Sequence, residues 1–198
     1  MAAGHEVDAV PRRFTDRSAQ TRAAILAAAR TRFAADGYEK TTIRAVAAEA
    51  GIDASMVMRY YGNKANLFQA SAAVDLALAD RVAKDPEQLA AGMAQAFIER
   101  WEESSNEVEQ LVIRTAMTHP EAVVQVQRIF DEQIKPSILA VLGDDPDAEL
   151  RAALIMTQTV GVIVCRYLFG LEPIASADPE VLRRAIQDAI ILHATRPM

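Results

Sequence analysis

An all-α fold is predicted by three observations. Aromatic residues make up only 6% of the 198 positions and hydrophobic ones 51%, with alanine abundant, a composition that favours helix. No alternating Val/Ile/Thr run of strand type appears. Apolar residues instead recur three and four apart, in segments punctuated by Gly, Pro and Asp. The length suits one large domain or a small one joined to a larger one. Lone Cys165 excludes an internal disulfide and a Cys-based zinc site and fits a reducing cytoplasm. His5, His119 and His193 have no ligand spacing, so neither a metal nor a cofactor is expected. Residues 1–10 lack a basic start and an apolar run, so no secretory signal is expected.

The elements follow in order. Residues 1–17 are polar and read as a mobile arm, with Pro11, Arg12 and Arg13 ahead of the first helix. Such an arm either reaches a minor groove or phosphates, or is a disordered tail. Asp16 or Ser18 can cap a long helix to about Asp36, with Ile25, Ala28, Ala29, the stem of Arg32 and Phe33 along its inner side. Gly37 ends it. A short helix from about Thr42 to Ala50 has a Thr hydroxyl at its start and Ile43, Val46, Ala47 and Ala50 on one face. Gly51 fits the left-handed position that closes a helix, and Asp53 can cap a second short helix, about Ala54 to Tyr61. Two short helices joined by a glycine turn describe a helix-turn-helix. The three helices make a domain over residues 18–63.

A fourth helix is expected from Lys64 to about Lys84, with Leu67, Phe68, Val74 and Leu78 as its stripe. It starts beside the second short helix and is the candidate coupling rod. Asp85-Pro86 breaks it. Pro86 opens a fifth helix to about Ser104, carrying Leu89, Met93, Phe97 and Trp101. A sixth runs from Asn106 to Thr118, and a seventh from Pro120 to about Leu142, where Pro136 predicts a kink. Gly143-Asp144-Asp145-Pro146 is a loop. The last two helices are read at about Asp147 to Gly170 and Asp178 to Ala194. The former is apolar around most of its circumference, including the most apolar segment, Ala152 to Phe169. Gln158 and Arg166 within that segment favour a buried helix over a membrane span. A chain this small could hardly cover it, whereas the same helix of a second copy would, with Ala153 and Gly161 allowing close approach. About nine helices result, and residues 64–198 form the larger domain.

Net charge is −6, but it is unevenly spread. Residues 1–66 hold ten Lys/Arg against seven Asp/Glu, and residues 67–198 hold eleven against twenty. The positive end is the one with the helix-turn-helix, which permits nucleic-acid binding without demonstrating it. Ser55, Met56, Met58 and Arg59 look away from Val57, toward where a major groove would lie. Tyr60 and Lys64 are placed for phosphate. The helices alone equally describe an ordinary helical hairpin with Tyr60-Tyr61 as core.

The region from about 18 to 70 resembles the DNA-binding part of the TetR family of bacterial regulators (the TetR/AcrR type). The matching residues are Gly37-Tyr38, Thr41-Thr42, Val46-Ala47, Ala50-Gly51-Ile52, Asp53, Tyr60-Tyr61, Lys64 and Leu67-Phe68, with Thr21-Arg22, Ile25-Leu26, Ala28-Ala29 and Phe33 upstream. Two positions depart from the family pattern: Val57-Met58 replaces a leucine-tyrosine pair, and Asp53 replaces a serine cap. Met58 cannot donate to phosphate as tyrosine would, so base preference should differ. The DNA-contacting set implied is Thr41, Thr42, Arg44, Ala54, Ser55, Met56, Met58, Arg59, Tyr60 and Lys64. The resemblance further implies a homodimer on a near-palindromic operator, a regulator that is most simply a repressor, and release by a small-molecule effector. Met93, Phe97, Trp101, Met117 and Gln158 are its pocket candidates, although Met and aromatic residues at helical spacing are usually core. Leu154, Gly161, Val162, Cys165, Leu182 and Ile186 are the dimer candidates.

Other classes fit less well. No Gly-rich phosphate loop, HExxH or nucleophile elbow occurs, Glu102-Glu103 and Asp144-Asp145 read as solvated surface, and Cys165 lies in an apolar run; no enzyme is expected. A helical protein-interaction adaptor and a transcriptional activator of the same fold are the alternatives.

Overall fold

The structure, a computed structural model, describes residues 13–78, 81, 83–103 and 106–197, apart from the side chains of 13–17 and 121. Among these residues there are nine helices and no strand. The chain divides into two compact units, residues 1–71 and 72–198.

The first unit holds α1 (Arg13–Lys40), α2 (Ile43–Glu49), α3 (Ala54–Tyr61) and α4 (Lys64–Ser71). The expected mobile arm, through residue 12, lies outside the described residues; from Arg13 on, the chain already belongs to α1. Gly37, at φ 76°, breaks the helical path near the end of α1, a left-handed conformation that glycine adopts at no steric cost. Ile25, Ala28, Ala29 and Phe33 from α1 meet Val46 and Ala47 from α2, Val57 from α3, and Leu67 and Phe68 from α4 in one buried core. At its centre the Phe33 ring meets Phe68 edge-on at 5.1 Å and stacks on Tyr38 at 5.8 Å. Arg30 Nε donates to the Ser71 carbonyl at 2.7 Å, and Arg32 pairs with Glu49 at 2.8 Å. These contacts tie α1 to α4 and to α2. Because Leu67 and Phe68 belong to this core, the first unit extends past the boundary expected at residue 63.

The second unit holds α5 (Pro86–Trp101), α6 (Glu107–Ala116), α7 (120–142), α8 (Ala148–Leu168) and α9 (Pro179–Thr195). Its core is built by Leu89, Ala94, Phe97 and Ile98 of α5, Ile134 and Ile138 of α7, Ala152 and Ile155 of α8, and Leu182, Ile186 and Ile190 of α9. The kink expected at Pro136 takes the form of a wide turn over Phe130–Ile134 immediately before it. Proline has no N–H to donate, and one residue of extra winding absorbs the break. A second wide turn, Ile163–Leu168, closes α8. Arg151, only 5% exposed, donates to the carbonyls of His193 and Arg196 at 2.7 and 2.8 Å and faces Asp145 at 2.9 Å. It thereby caps the end of α9 from α8. Arg166 joins α8 to Glu102 at 2.8 Å and to the loop carbonyls of Ile174 and Ala177.

The long fourth helix to Lys84 does not form: α4 stops at Ser71, and residues 73–78 are irregular, with Ala77 at a positive φ of 51°. Two glutamines of α7 explain this. Gln125 Nε2 donates to the Ala72 carbonyl at 3.3 Å. Gln133 accepts from the Leu76 N–H at 2.7 Å and donates to the Val74 carbonyl at 2.8 Å. With its backbone groups satisfied by side chains, the segment has no need of helical bonds. Val74, Leu76 and Leu78 all turn toward the core of the second unit.

Candidate nucleic-acid interface and ligand cavity

The helix-turn-helix is assembled by local caps. Thr42 Oγ1 accepts from the Ala45 N–H at 3.1 Å at the head of α2. Gly51, at φ 67°, turns the chain. Asp53 accepts from the Ser55 N–H at 2.7 Å at the head of α3. Eight residues cannot hold a helix in water alone, so α3 depends on this cap and on Val57, which is fully buried. Packing Val57 inward turns Ser55, Met58 and Arg59 outward, and all three are exposed. Met56 and Ala54 are half-buried at the edges of that face.

Hydrogen bonds from the Ser55 hydroxyl and N–H hold the Asp53 carboxyl below the usual aspartate range. A lowered folded-state value means that the carboxylate cap stabilises α3 fully above the ordinary aspartate pKa and is lost as pH falls through the lowered one. Asp53→Asn keeps an accepting oxygen but no titrating charge. Its thermal midpoint should lie below wild type at neutral pH, and the gap should close on acidification below about pH 4. A gap independent of pH would contradict the charged cap.

Beside α3, cations gather on one ring. The guanidinium of Arg22 lies 5.7 Å from the Tyr60 ring centre and that of Arg59 lies 5.5 Å from it, within cation–π range. Hydrogen bonding to Ser18 first, then to Arg59, lowers the Tyr60 pKa. Arg22 itself bonds to Ser18 Oγ at 3.2 Å. Lys64 Nζ donates to the Glu39 carbonyl at 3.0 Å and sits 4.5 Å above the Tyr38 ring; an ammonium has three donors, so it retains capacity for a phosphate. Arg44 is exposed on α2.

Thr41 is a correction. Its side chain is 1% exposed, and its hydroxyl donates to the Gly37 carbonyl at 2.8 Å and approaches that of Arg32 at 3.1 Å. It locks the end of α1 and is not available to DNA. Arg22 is the residue that sequence reasoning missed. It lies in the matching segment, but only the folded chain brings it to Tyr60, 38 positions later.

The second unit contains a cavity of about 320 Å³. Met93, Phe97 and Trp101 of α5 and Met117 after α6 line it, together with Val74, Leu76 and Leu78 of the irregular segment and Met156 and Val160 of α8. Gln158 does not: it lies 3.3 Å from His193 Nε2 on another side of α8. Sequence reasoning missed Arg100 and Glu109, the charged pair in the cavity wall. The Tyr167 ring lies behind Trp101, tilted by 32° at 4.9 Å, and its hydroxyl bonds to Glu102; burial, and then that carboxylate, raise its pKa.

The dimer candidates divide. Leu182 and Ile186 are 5% and 2% exposed, and with Val162 they pack on this chain's own core, so they are corrected to core residues. Leu154, Gly161 and Cys165 lie on another face of α8, in line with Leu150 and Thr157. Among α9 residues, Val181 and Leu192 are exposed. By length and composition α8 is apolar enough to cross a membrane, and only 28% of its apolar window is buried. Arg151 and Arg166 lie within it, both engaged in bonds inside the protein.

Comparison with known proteins agrees in both units. Residues 25–71 match the family described as bacterial regulatory proteins, tetR family. Residues 87–192 match the tetracyclin repressor-like C-terminal domain. No curated protein matches the chain. A solved TetR-family regulator from Streptomyces coelicolor A3 is 29% identical, with 94% of this chain and 99% of that chain covered and a TM-score of 0.59. A transcriptional regulator from Rhodococcus sp. Rha1 is 25% identical, with 89% and 99% covered and a TM-score of 0.63. At 17% identity, a regulator from Pseudomonas aeruginosa PAO1 shares the fold, with 90% and 93% covered and a TM-score of 0.68.

Proposed function

This chain belongs to the TetR family of bacterial regulatory proteins, and on that premise we propose that it is a homodimeric repressor of the bacterial cytoplasm, released from a near-palindromic operator by a small molecule. Regulators of this family bind operator DNA as dimers. In this chain residues up to Ser71 serve the DNA, and residues from Ala72 on serve effector binding and dimerisation. The observation that carries the proposal is the outward face of α3, where Ser55, Met58 and Arg59 stand clear of the core beside the Arg22–Tyr60 pair.

Roles divide by chemistry. Arg59 offers a planar fork for guanine O6 and N7, and Met58 an apolar surface for a thymine methyl. Arg22, Arg44, Tyr60 and Lys64 hold phosphates and set the register. The outward stripe of α8, Leu150, Leu154, Thr157, Gly161 and Cys165, meets its copy in a second chain, so that two recognition helices reach two half-sites. An effector acts to the extent that it binds the DNA-incompetent state better, a difference on the order of 1–3 kcal/mol.

The test compares two substitutions on a selected operator. Arg59→Ala should cost about 1–3 kcal/mol and relax preference at one base pair. Lys64→Ala should weaken all sequences alike and lower the salt slope by roughly 0.9 per contact. Equal, sequence-independent losses in both variants would remove the reading role of Arg59.

A further inference from the structure

We infer that the cavity of the second unit takes an uncharged, apolar molecule and discriminates against charged analogues of the same shape. The inference rests on the reading of this cavity as the effector site. Its walls are hydrocarbon, thioether and aromatic, and the charges in them cancel. Arg100 Nη1 bonds to Glu109 Oε1 at 2.5 Å, and Arg100 Nη2 to the Asp75 carbonyl. The two side chains are 26% and 12% exposed. Each terminal nitrogen of the guanidinium therefore spends one N–H on a partner inside the wall, and its charge is offset by Glu109. The Thr159 hydroxyl is committed too, donating to the Met156 carbonyl at 3.0 Å.

An anion entering here finds the Arg100 charge already neutralised by Glu109. Whether it shares Arg100 with Glu109 or displaces it, two negative charges then meet at one cation in an apolar wall, which costs what a broken or crowded ion pair costs. A cation meets a carboxylate already neutralised by Arg100 and gives up its own hydration for an apolar wall. An uncharged molecule pays neither cost. It gains burial against Met93, Phe97, Trp101 and Met117, and the unengaged lone pairs of Thr159 and Glu109 can accept one donor, such as a hydroxyl. The volume equals that of about ten waters in the liquid, which suits a ligand of two fused or linked rings or a medium alkyl chain.

Trp101 is the chain's one tryptophan and lies in the cavity wall, so energy transfer from it reports occupancy directly. N-phenylnaphthylamine is the reporter. Saturable transfer is expected in the full-length protein, and its loss in Ala96→Phe, which fills the cavity. Naphthylmethanol, naphthoate and naphthylmethylamine then compete as neutral, anionic and cationic forms of one skeleton. The alcohol should displace the reporter at a concentration at least about tenfold lower than either ion. Glu109→Gln, which frees Arg100, should shift the preference toward naphthoate. Arg100→Gln, which strands Glu109, should shift it toward naphthylmethylamine. Either ion competing as well as the alcohol in the wild-type protein, or both variants keeping the wild-type order, would overturn the inference. No saturable transfer, or transfer untouched by Ala96→Phe, would instead overturn the ligand-site reading beneath it.

Discussion

Replacing Phe33 with alanine should abolish operator binding, although its fully buried ring is out of reach of DNA. Its side chain is completely buried, and it holds two aromatic partners, Phe68 edge-on at 5.1 Å and Tyr38 stacked at 5.8 Å. Truncating a phenylalanine in such a core costs about 3–5 kcal/mol. That is a large share of what a small domain possesses. The loss falls on α3 in particular, because a helix of eight residues with one fully buried side chain, Val57, has no stability of its own. Helical signal should be lost from the first unit on mild heating. Fluorescence of Trp101, which lies in the second unit, serves as the internal control. Operator affinity within about threefold of wild type, a difference below 1 kcal/mol, would contradict this account of how the reading helix is held.

Gly161→Arg is expected to give a folded monomer that no longer holds its operator. A side chain built at Gly161 meets nothing within 4 Å, and the residue is exposed. The backbone there is ordinary helix, where replacing glycine favours the helix itself. Nothing in the single chain therefore opposes the change. In the proposed dimer it introduces a long cation between two copies of α8, flanked by Leu154 and Cys165. Losing the second half-site removes an avidity gain of about 10²–10⁴ in affinity. Light scattering reads the mass, and binding to one-half-site and two-half-site duplexes reads the function. A variant that stays dimeric and binds normally would move the interface away from this stripe of α8.

Much of the first unit was legible because its signals are local. Thr42, Gly51 and Asp53 act within three residues of themselves, and α3 was expected and observed over the same residues, 54–61. Proline placement located α5 and α7 in the same way. The failures are long-range. The stripe Leu67, Phe68, Val74 and Leu78 fits one continuous helix, yet Val74, Leu76 and Leu78 also alternate. Gln125 and Gln133, more than fifty positions away, decide between these patterns by bonding to the backbone. Leu182 and Ile186 show the limit of periodicity: it marks an apolar face but not whether this chain or another covers it. The same limit applies to Thr41, whose hydroxyl bonds backward into α1, and to Gln158, which faces His193 and not the cavity. Arg100 and Glu109 stand nine positions apart on two helices, and only the fold closes them into one wall.

On the proposed function, the α3 face reads DNA sequence. Anisotropy titration of labelled duplex from this protein's own upstream region, against scrambled duplex at two salt concentrations, tests it most directly. Tight, salt-sensitive binding to the native fragment and only weak binding to the scramble is the predicted result. No binding to any duplex at low salt, by dimeric and folded protein, would contradict it.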